Sequence, residues 1–254
     1  MPAQLAVIVT AFNEADRLPA TLAAVKAAFP DARVLVADDG SRDATGHAAL
    51  QHGAELVHSP VTIGKGGVAT LAARRVLTGG EPPEVVVLCD GDLGETAREL
   101  AQLVAALDDG EGADLAIAAF ARRVGGGVGL ALGFSRWATR ELGGVELRAP
   151  ISGQRAMRSE LLPALLPFAP RFGMETAMNI DAARAGYRIA EVELDLEHRA
   201  SGKTLRGFLH RFRQLADFAA VYRDRRRGRR LDRRSIVARR ISDRRSVGGR
   251  RGRP

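Results

Sequence analysis

Val85-Val86-Val87-Leu88-Cys89-Asp90-Gly91-Asp92 is an apolar run that ends in two carboxylates one residue apart. A continuous Val/Leu run bounded by polar residues reads as a strand buried on both faces, which puts Asp90 and Asp92 where that strand leaves its sheet. Ligands of open α/β sheets bind beyond the carboxyl ends of the strands, and a hard divalent cation takes oxygen ligands, so Asp-x-Asp at this place is a candidate metal site for holding phosphates. The same triplet also fits a plain turn or helix cap. Three more segments fall at strand ends or in the loops that follow: Thr10-Ala11-Phe12-Asn13-Glu14, Asp38-Asp39-Gly40-Ser41 and Gly64-Lys65-Gly66-Gly67. A carboxylate can accept from a base imide or ribose hydroxyls, a Gly-rich turn with a Lys can neutralise phosphate, and a metal can bridge a diphosphate. The set therefore suits a nucleoside diphosphate. Taken singly, Asp-Asp-Gly-Ser is also a turn with an N-cap and Gly-Lys-Gly-Gly an ordinary loop. It is not a Walker A motif, because Gly-x4-Gly-Lys-Ser/Thr is absent.

The elements that must position these residues alternate between strand and helix periodicity. Leu5 to Thr10, Arg33 to Ala37, Glu55 to His58, Val85 to Cys89 and Asp114 to Phe120 read as strands. Between them, helices are expected from Leu18 to Phe29, from about Asp43 to Gln51 with Gly53 as the stop, from Val68 to Leu77, and up to Leu107 from a capping box at Thr96-Ala97-Arg98-Glu99. This pattern predicts an α/β fold, a mostly parallel sheet with helices on both faces. After a Gly-rich, Arg-bearing stretch from Arg122 to Gly144 with a helix around Leu130 to Leu142, regularity returns. Strands are expected at Ile151 to Met157 and Arg188 to Leu196, and helices at Ser159 to Leu166 and Met174 to Ala185. A long amphipathic helix from Thr204 carries Leu205, Phe208, Leu209, Phe212, Leu215, Phe218 and Tyr222 on one stripe.

The 254 residues suffice for one α/β domain, expected over 1–222, with a basic tail over 223–254. The net charge of +8 does not describe the folded part: fifteen arginines and three aspartates lie between Arg223 and Pro254, which leaves residues 1–222 mildly acidic. That tail lacks a packable apolar face and is expected to be disordered. A single cysteine, Cys89, excludes an internal disulfide framework and reads as a buried, reduced thiol. No run approaches a membrane span and no leader pattern opens the chain, so a cytoplasmic location is expected, including a peripheral one at the inner face of the membrane.

These residues resemble family 2 glycosyltransferases of the GT-A fold, in particular the dolichol-phosphate mannosyltransferase-like branch, over about residues 5 to 222. Val7 to Glu14 is similar to the opening strand and nucleotide loop, Asp38-Asp39-Gly40-Ser41 to the base and ribose site, Gly64-Lys65-Gly66 to the diphosphate loop, and Asp90 with Asp92 to the metal motif. Ser152-Gly153-Gln154-Arg155-Ala156 resembles a Ser-Gly-x-Arg-Ala segment of that branch, and Tyr187 to Val192 the strand before its basic loop. Pro167 to Glu175, followed by His198-Arg199, resembles glucosyl-3-phosphoglycerate synthases. That resemblance implies that Glu175 faces the donor sugar and His198 completes the metal site. Arg122, Arg123, Arg136 and Arg140 stand where the lipid-phosphate branch holds its acceptor phosphate, a task that suits Arg. The chain departs from the branch in lacking carboxyl-terminal membrane spans and in having Gly94 where a polar metal-shell side chain often stands.

The expectation is transfer of a hexose from a UDP- or GDP-linked sugar to a phosphate-bearing acceptor such as polyprenyl phosphate, with Mg²⁺ or Mn²⁺. The resemblance implies Thr10, Phe12, Glu14, Asp38, Asp39, Lys65 and Asp90 for the nucleotide sugar and Arg122, Arg136 and Arg140 for the acceptor. It implies Asp90, Asp92 and His198 for the metal, with Asp92 and Glu175 as the catalytic pair. A soluble transferase similar to glucosyl-3-phosphoglycerate synthase is one alternative. Another is a nucleotidylyltransferase, although its Gly-rich basic first loop is missing from Thr10 to Arg17. The third is a non-enzymatic binder of anionic surfaces through the Arg tail; no nucleic-acid partner is expected.

Overall fold

The computed structural model describes residues 4–108, 112–120, 129–196 and 216–226. Strands β1 (Leu5–Ala11), β2 (Arg33–Asp38), β3 (Glu55–His58), β4 (Val85–Asp90), β5 (Leu115–Phe120), β6 (Arg155–Arg158) and β7 (Ile189–Leu194) form one sheet in the order β3-β2-β1-β4-β6-β5-β7. All pairs are parallel except those of β6, which runs antiparallel to both β4 and β5. The helices are α1 (Leu18–Ala28), α2 (Thr45–Gln51), α3 (Lys65–Thr78), α4 (Ala101–Asp108), α5 (Gly129–Gly143), α6 (Leu162–Leu165), α7 (Met174–Arg184) and α8 over 216–226.

Buried residues of the central strands alternate between two cores. Val7, Val9, Val85, Val87 and Cys89 pack with Leu18, Leu22, Leu100 and Leu103 on one face, whereas Ala6, Ile8, Val86 and Leu88 pack with Val68, Ala72, Leu162 and Met178 on the other. Both faces being covered explains why β1 and β4 read as unbroken apolar runs. The parallel register places Thr10 opposite Asp90 and Ala11 opposite Asp38, so β2, β1 and β4 release their polar ends along one edge.

Several elements differ from expectation. Thr96 does not cap a helix: it lies inside a 3-10 turn over Gly94–Leu100 and donates from Oγ1 to the Leu93 carbonyl, so the capping box does not form and α4 starts only at Ala101. The strand expected from Ile151 begins at Arg155, because the Pro150 and Ser152 carbonyls turn to the Arg155 side chain instead of a neighbouring strand. The helix expected over Ser159 to Leu166 is a 3-10 turn followed by four residues of α6. Helix α3 starts three residues early, at Lys65, with two glycines in its first turn. Of the long carboxyl-terminal helix only α8 lies within the described residues; it buries Phe218 and Val221 and continues to 226, past the expected start of the tail. Arg225 there pairs with Asp181 at 2.7 Å.

Candidate active site

Asp90 closes β4 with both carboxylate oxygens engaged. Thr10, its in-register neighbour, donates from Oγ1 to Oδ1 at 3.1 Å; Lys65 Nζ lies 2.7 Å from the same oxygen; Gln154 Nε2 donates to Oδ2 at 2.9 Å. Lys65 comes from the first turn of α3, and its ammonium also lies 3.0 Å from Oε1 of Glu175, in the first turn of α7. Glu175 is buried. Burial alone would favour the neutral amine of Lys65, but the two carboxylates outweigh it and push its pKa up. Burial would likewise raise Asp90, yet Lys65 and the hydrogen bonds from Thr10 and Gln154 hold it below the usual carboxylate value. A cation is thus fixed between the ends of three elements.

Asp92 differs from Asp90 in that, among the described residues, no hydrogen bond or ion pair engages its carboxylate. Only its backbone is held: Arg17 Nη1 donates to the Asp92 carbonyl, Gly91 N to the Thr10 carbonyl, and Thr21 Oγ1 to the Gly91 carbonyl. No group of three or more His, Cys, Asp or Glu side chains that could enclose a metal occurs among the described residues. An open carboxylate at a strand end is nevertheless the donor a Mg²⁺-type ion uses when phosphates and water complete its shell. His198 lies outside the described residues, as do Arg122 and Arg123. Cys89, buried just behind Asp90, has its thiol pushed up by burial and by Asp90 and is no nucleophile.

The two acids after β2 are used inside the protein. Asp38 takes the amide and hydroxyl of Ser41 on Oδ1 and His58 Nδ1 at 2.9 Å on Oδ2. Asp39 accepts from Ile63 N at 2.7 Å and Gly64 N at 3.0 Å, and burial raises its pKa against those two bonds. Both side chains are nearly inaccessible: Asp38 closes its own turn, and Asp39 fastens that turn to the loop preceding Lys65. The first loop is stitched to the same turn, with Asn13 N donating to Ser41 Oγ, Asn13 Oδ1 accepting from Arg42 N, and Glu14 N donating to Thr45 Oγ1. Phe12 is left 47% exposed on that loop.

Residues 148–154 form a strap against Asp90 and Lys65. Glu191 accepts from Arg148 N and Ala149 N, Asn179 Nδ2 donates to the Pro150 carbonyl, and the fully buried Arg155 donates to Pro150 O, Ser152 O and Asn179 Oδ1. Burial brings the Arg155 pKa down to about 10 against the pull of Glu175 and Glu191, so it remains charged at neutral pH. At Gly153 a Cβ would stand 2.3 Å from Lys65 Nζ and 2.9 Å from Asp90 Oδ2, so any side chain there would push the lysine from its present seat. Gln154, Arg155 and Asn179 were not among the expected site residues; the Gln between Gly153 and Arg155 was the available signal. Arg136 donates to the Arg148 carbonyl, at the start of the strap, and Arg140 pairs at 3.5 Å with Glu146. Neither touches Lys65, Asp90 or Glu175, although α5 is fixed beside α7 through Ser135 and Thr176 hydroxyls 2.7 Å apart.

Comparison with known proteins agrees with this geometry. The family model described as Glycosyl transferase family 2 matches residues 6–150. An uncharacterized glycosyltransferase of Mycobacterium tuberculosis is 33% identical over 205 residues, covering 78% of this chain and 87% of the relative. The undecaprenyl-phosphate mannosyltransferase of Micrococcus luteus is 32% identical over 213 residues, covering 78% and 85%. Among solved structures, glucosyl-3-phosphoglycerate synthase from Mycobacterium tuberculosis in complex with Mn²⁺, UDP and glucosyl-3-phosphoglycerate superposes with a TM-score of 0.70 at 26% identity, covering 88% of this chain and 80% of that one. By family model, sequence and sheet, the chain belongs to glycosyl transferase family 2.

Proposed function

We propose that the protein transfers a hexose from a UDP- or GDP-linked sugar to a phosphate-bearing acceptor, polyprenyl phosphate being the acceptor of choice. The observation that carries this reading is Lys65 held between Asp90 and Glu175, beside the open carboxylate of Asp92, at the carboxyl edge where β1 and β4 end. The nucleotide lies along the first loop, with Thr10, Phe12 and Glu14 on its path. Asp38 and Asp39, which also hold that loop and the Lys65 loop in place, are assigned to its base and ribose. Lys65 offers charge to the diphosphate as it departs, and Glu175 fixes the lysine and borders the sugar.

Asp92, with Asp90 behind it and His198 as a third donor, would hold Mg²⁺ or Mn²⁺, which when bound supplies Lewis-acid stabilisation of the leaving diphosphate. An acceptor phosphate is already anionic. Its oxygen forms the new bond to the anomeric carbon as the bond from that carbon to the diphosphate breaks, and no general base is required. Arg122, Arg136 and Arg140 are assigned to the acceptor phosphate. Arg136 reaches it by releasing, or sharing, the Arg148 carbonyl. The work would be done in the cytoplasm at the inner face of the membrane, in building the cell envelope, with the Arg-rich tail in contact with anionic lipid.

The relatives named for undecaprenyl-phosphate and polyprenol mannose transfer favour the lipid acceptor. The likeness to glucosyl-3-phosphoglycerate synthase favours a small soluble one instead. A panel of nucleotide sugars read by thermal shift with and without Mn²⁺, followed by transfer to undecaprenyl phosphate and to 3-phosphoglycerate, separates them. Metal-dependent stabilisation by one nucleotide sugar and transfer to the lipid phosphate are expected. Stabilisation by none of them overturns the donor site, and transfer to 3-phosphoglycerate alone overturns the lipid acceptor.

A further inference from the structure

Helix α5 carries its side chains the wrong way round for a helix facing water. Its buried positions are the small or hydroxyl residues Ala131, Ser135, Ala138 and Thr139. Leu130, by contrast, is 80% exposed and Trp137 39%. Leu130, Phe134 and Trp137 are spaced i, i+4, i+7 and form one stripe, which with Gly129 and Gly133 lines an apolar hollow. Helix α8 widens the stripe: the Tyr222 ring centroid lies 4.7 Å from that of Trp137 and 6.2 Å from that of Phe134.

The side of this face toward α8 is cationic: the Arg226 guanidinium lies 6.0 Å from the Tyr222 ring and Arg223 is exposed on the same helix. On α5, Arg140, one turn beyond Trp137, is paired with Glu146, and the exposed Glu141 ends the stripe with an acid. An exposed leucine, Trp and Tyr rings with one polar edge, and arginines beside them match the layers of an anionic bilayer surface, from acyl boundary to headgroup phosphate. A second copy of the chain would set one cationic side against another.

We propose that the face formed by Leu130, Phe134, Trp137 and Tyr222 docks on an anionic lipid bilayer, with Arg223 and Arg226 on headgroup phosphates. The docking deepens the lipid-acceptor reading and rests on it for its purpose, since α5 is bonded through Ser135 to Thr176, the neighbour of Glu175, and would bring the site to its acceptor.

Trp137 is the single tryptophan of the chain, so its emission reports on this face alone. The full-length protein is titrated with phosphatidylglycerol/phosphatidylcholine vesicles whose acyl chains are brominated. A blue shift and bromine quenching of Trp137 are expected with anionic vesicles. Leu130→Glu should weaken partitioning about tenfold, with Leu130→Ser intermediate, because an acyl-facing leucine is lost. Nucleotide-sugar binding by both variants in vesicle-free solution should stay unchanged, which shows that they fold. Vesicle sedimentation without a Trp137 response overturns the proposal. So does a blue shift that grows with protein concentration in the absence of lipid, which would mark a second copy. A Trp137 shielded from acrylamide at every concentration without lipid overturns it as well, because the chain would then cover its own face. If Trp137 responds but no sugar reaches polyprenyl phosphate, the acceptor reading falls and the docking stands; transfer without a Trp137 response rejects the docking alone.

Discussion

Gln154 Nε2 donates to Asp90 Oδ2 over 2.9 Å, joining the residue that enters β6 to the residue that ends β4. The bond exists because β6 is antiparallel: its beginning meets the finishing end of β4. Asp90 thereby points one oxygen at Lys65 and the other at the strap.

Gln154→Leu removes the donor and leaves Oδ2 without its partner, a loss of roughly 1 kcal/mol for a group still partly reached by water, or about fivefold in affinity. The expected outcome is a rise of that size in the Mn²⁺ concentration needed for half-maximal UDP binding, with the thermal midpoint little changed. Gln154→Glu sets a carboxylate against Asp90 and should raise it further. Calorimetry with equal Mn²⁺ dependence in all three proteins would show that Gln154 does not position Asp90.

The strand-end carboxylates, the Lys65 loop and the alternation of strand and helix were legible because each follows from local periodicity: apolar runs bury on two faces and their polar ends share an edge. The antiparallel β6 was not, since four residues carry too little pattern to give direction, and direction is what brings Gln154 to Asp90. The internal bonds of Asp38 and Asp39 were not legible for a related reason. An Asp-Asp-Gly-Ser turn looks the same whether its carboxylates meet a ligand or the amides of Ser41, Ile63 and Gly64, and only the tertiary closeness of the Lys65 loop decides. The outward aromatic face of α5 was hidden by a sequence whose apolar content fits a core-facing helix equally well.

Lys65→Met leaves Asp90 and Glu175 facing one another without a cation. Because Lys65 is partly exposed, the expected destabilisation near neutrality is roughly 1–3 kcal/mol, below that of a fully buried pair. The sign with pH follows from Asp90, whose folded pKa is depressed in the native protein. Its stabilising contribution is complete above the usual carboxylate value of 3.8 and is lost as pH falls through the lower folded value. In the variant only the Thr10 and Gln154 hydrogen bonds still oppose burial, so the depression of Asp90 shrinks and its contribution to stability above the carboxylate range falls. Urea unfolding at pH 7, 5.5 and 4 (roughly spanning that range) should show the gap between the two proteins narrowing with acid; a gap independent of pH would mean that Lys65 is not paired in solution.

Gly66→Ala tests the seat of Lys65. A Cβ at Gly66 would stand 1.8 Å from the Ala169 carbonyl oxygen, a backbone atom that cannot turn aside. Alanine gains about 1 kcal/mol of helix propensity over glycine, but overpacking against backbone costs about 1–3 kcal/mol or more, so the clash wins. The variant should melt lower and bind nucleotide sugar poorly. Gly67→Ala, whose Cβ meets only the Ile63 side chain at 3.0 Å, should be milder in both. Equal melting temperatures for the two would show that α3 is not seated against the segment before α7.

Asp92→Asn separates chemistry from structure. The Asp92 carboxylate has no partner among the described residues, and the backbone bonds that hold its loop, from Arg17 to the Asp92 carbonyl and from Thr21 to the Gly91 carbonyl, do not involve the side chain. The amide should therefore leave the stability within about 0.5 kcal/mol of the parent and the thermal midpoint nearly unchanged, as substitutions away from packed or bonded groups do. It should abolish the Mn²⁺-dependent part of UDP binding and lower sugar transfer by two or more orders of magnitude, roughly the loss seen when an electrostatic stabiliser of a developing charge is removed. Mn²⁺ bound to the protein in the presence of UDP, read by electron paramagnetic resonance, gives a readout independent of turnover. An unchanged Mn²⁺ spectrum with full transfer activity would reduce Asp90-Gly91-Asp92 to a turn, whereas lost activity with a lowered midpoint would assign Asp92 to the fold rather than to the reaction.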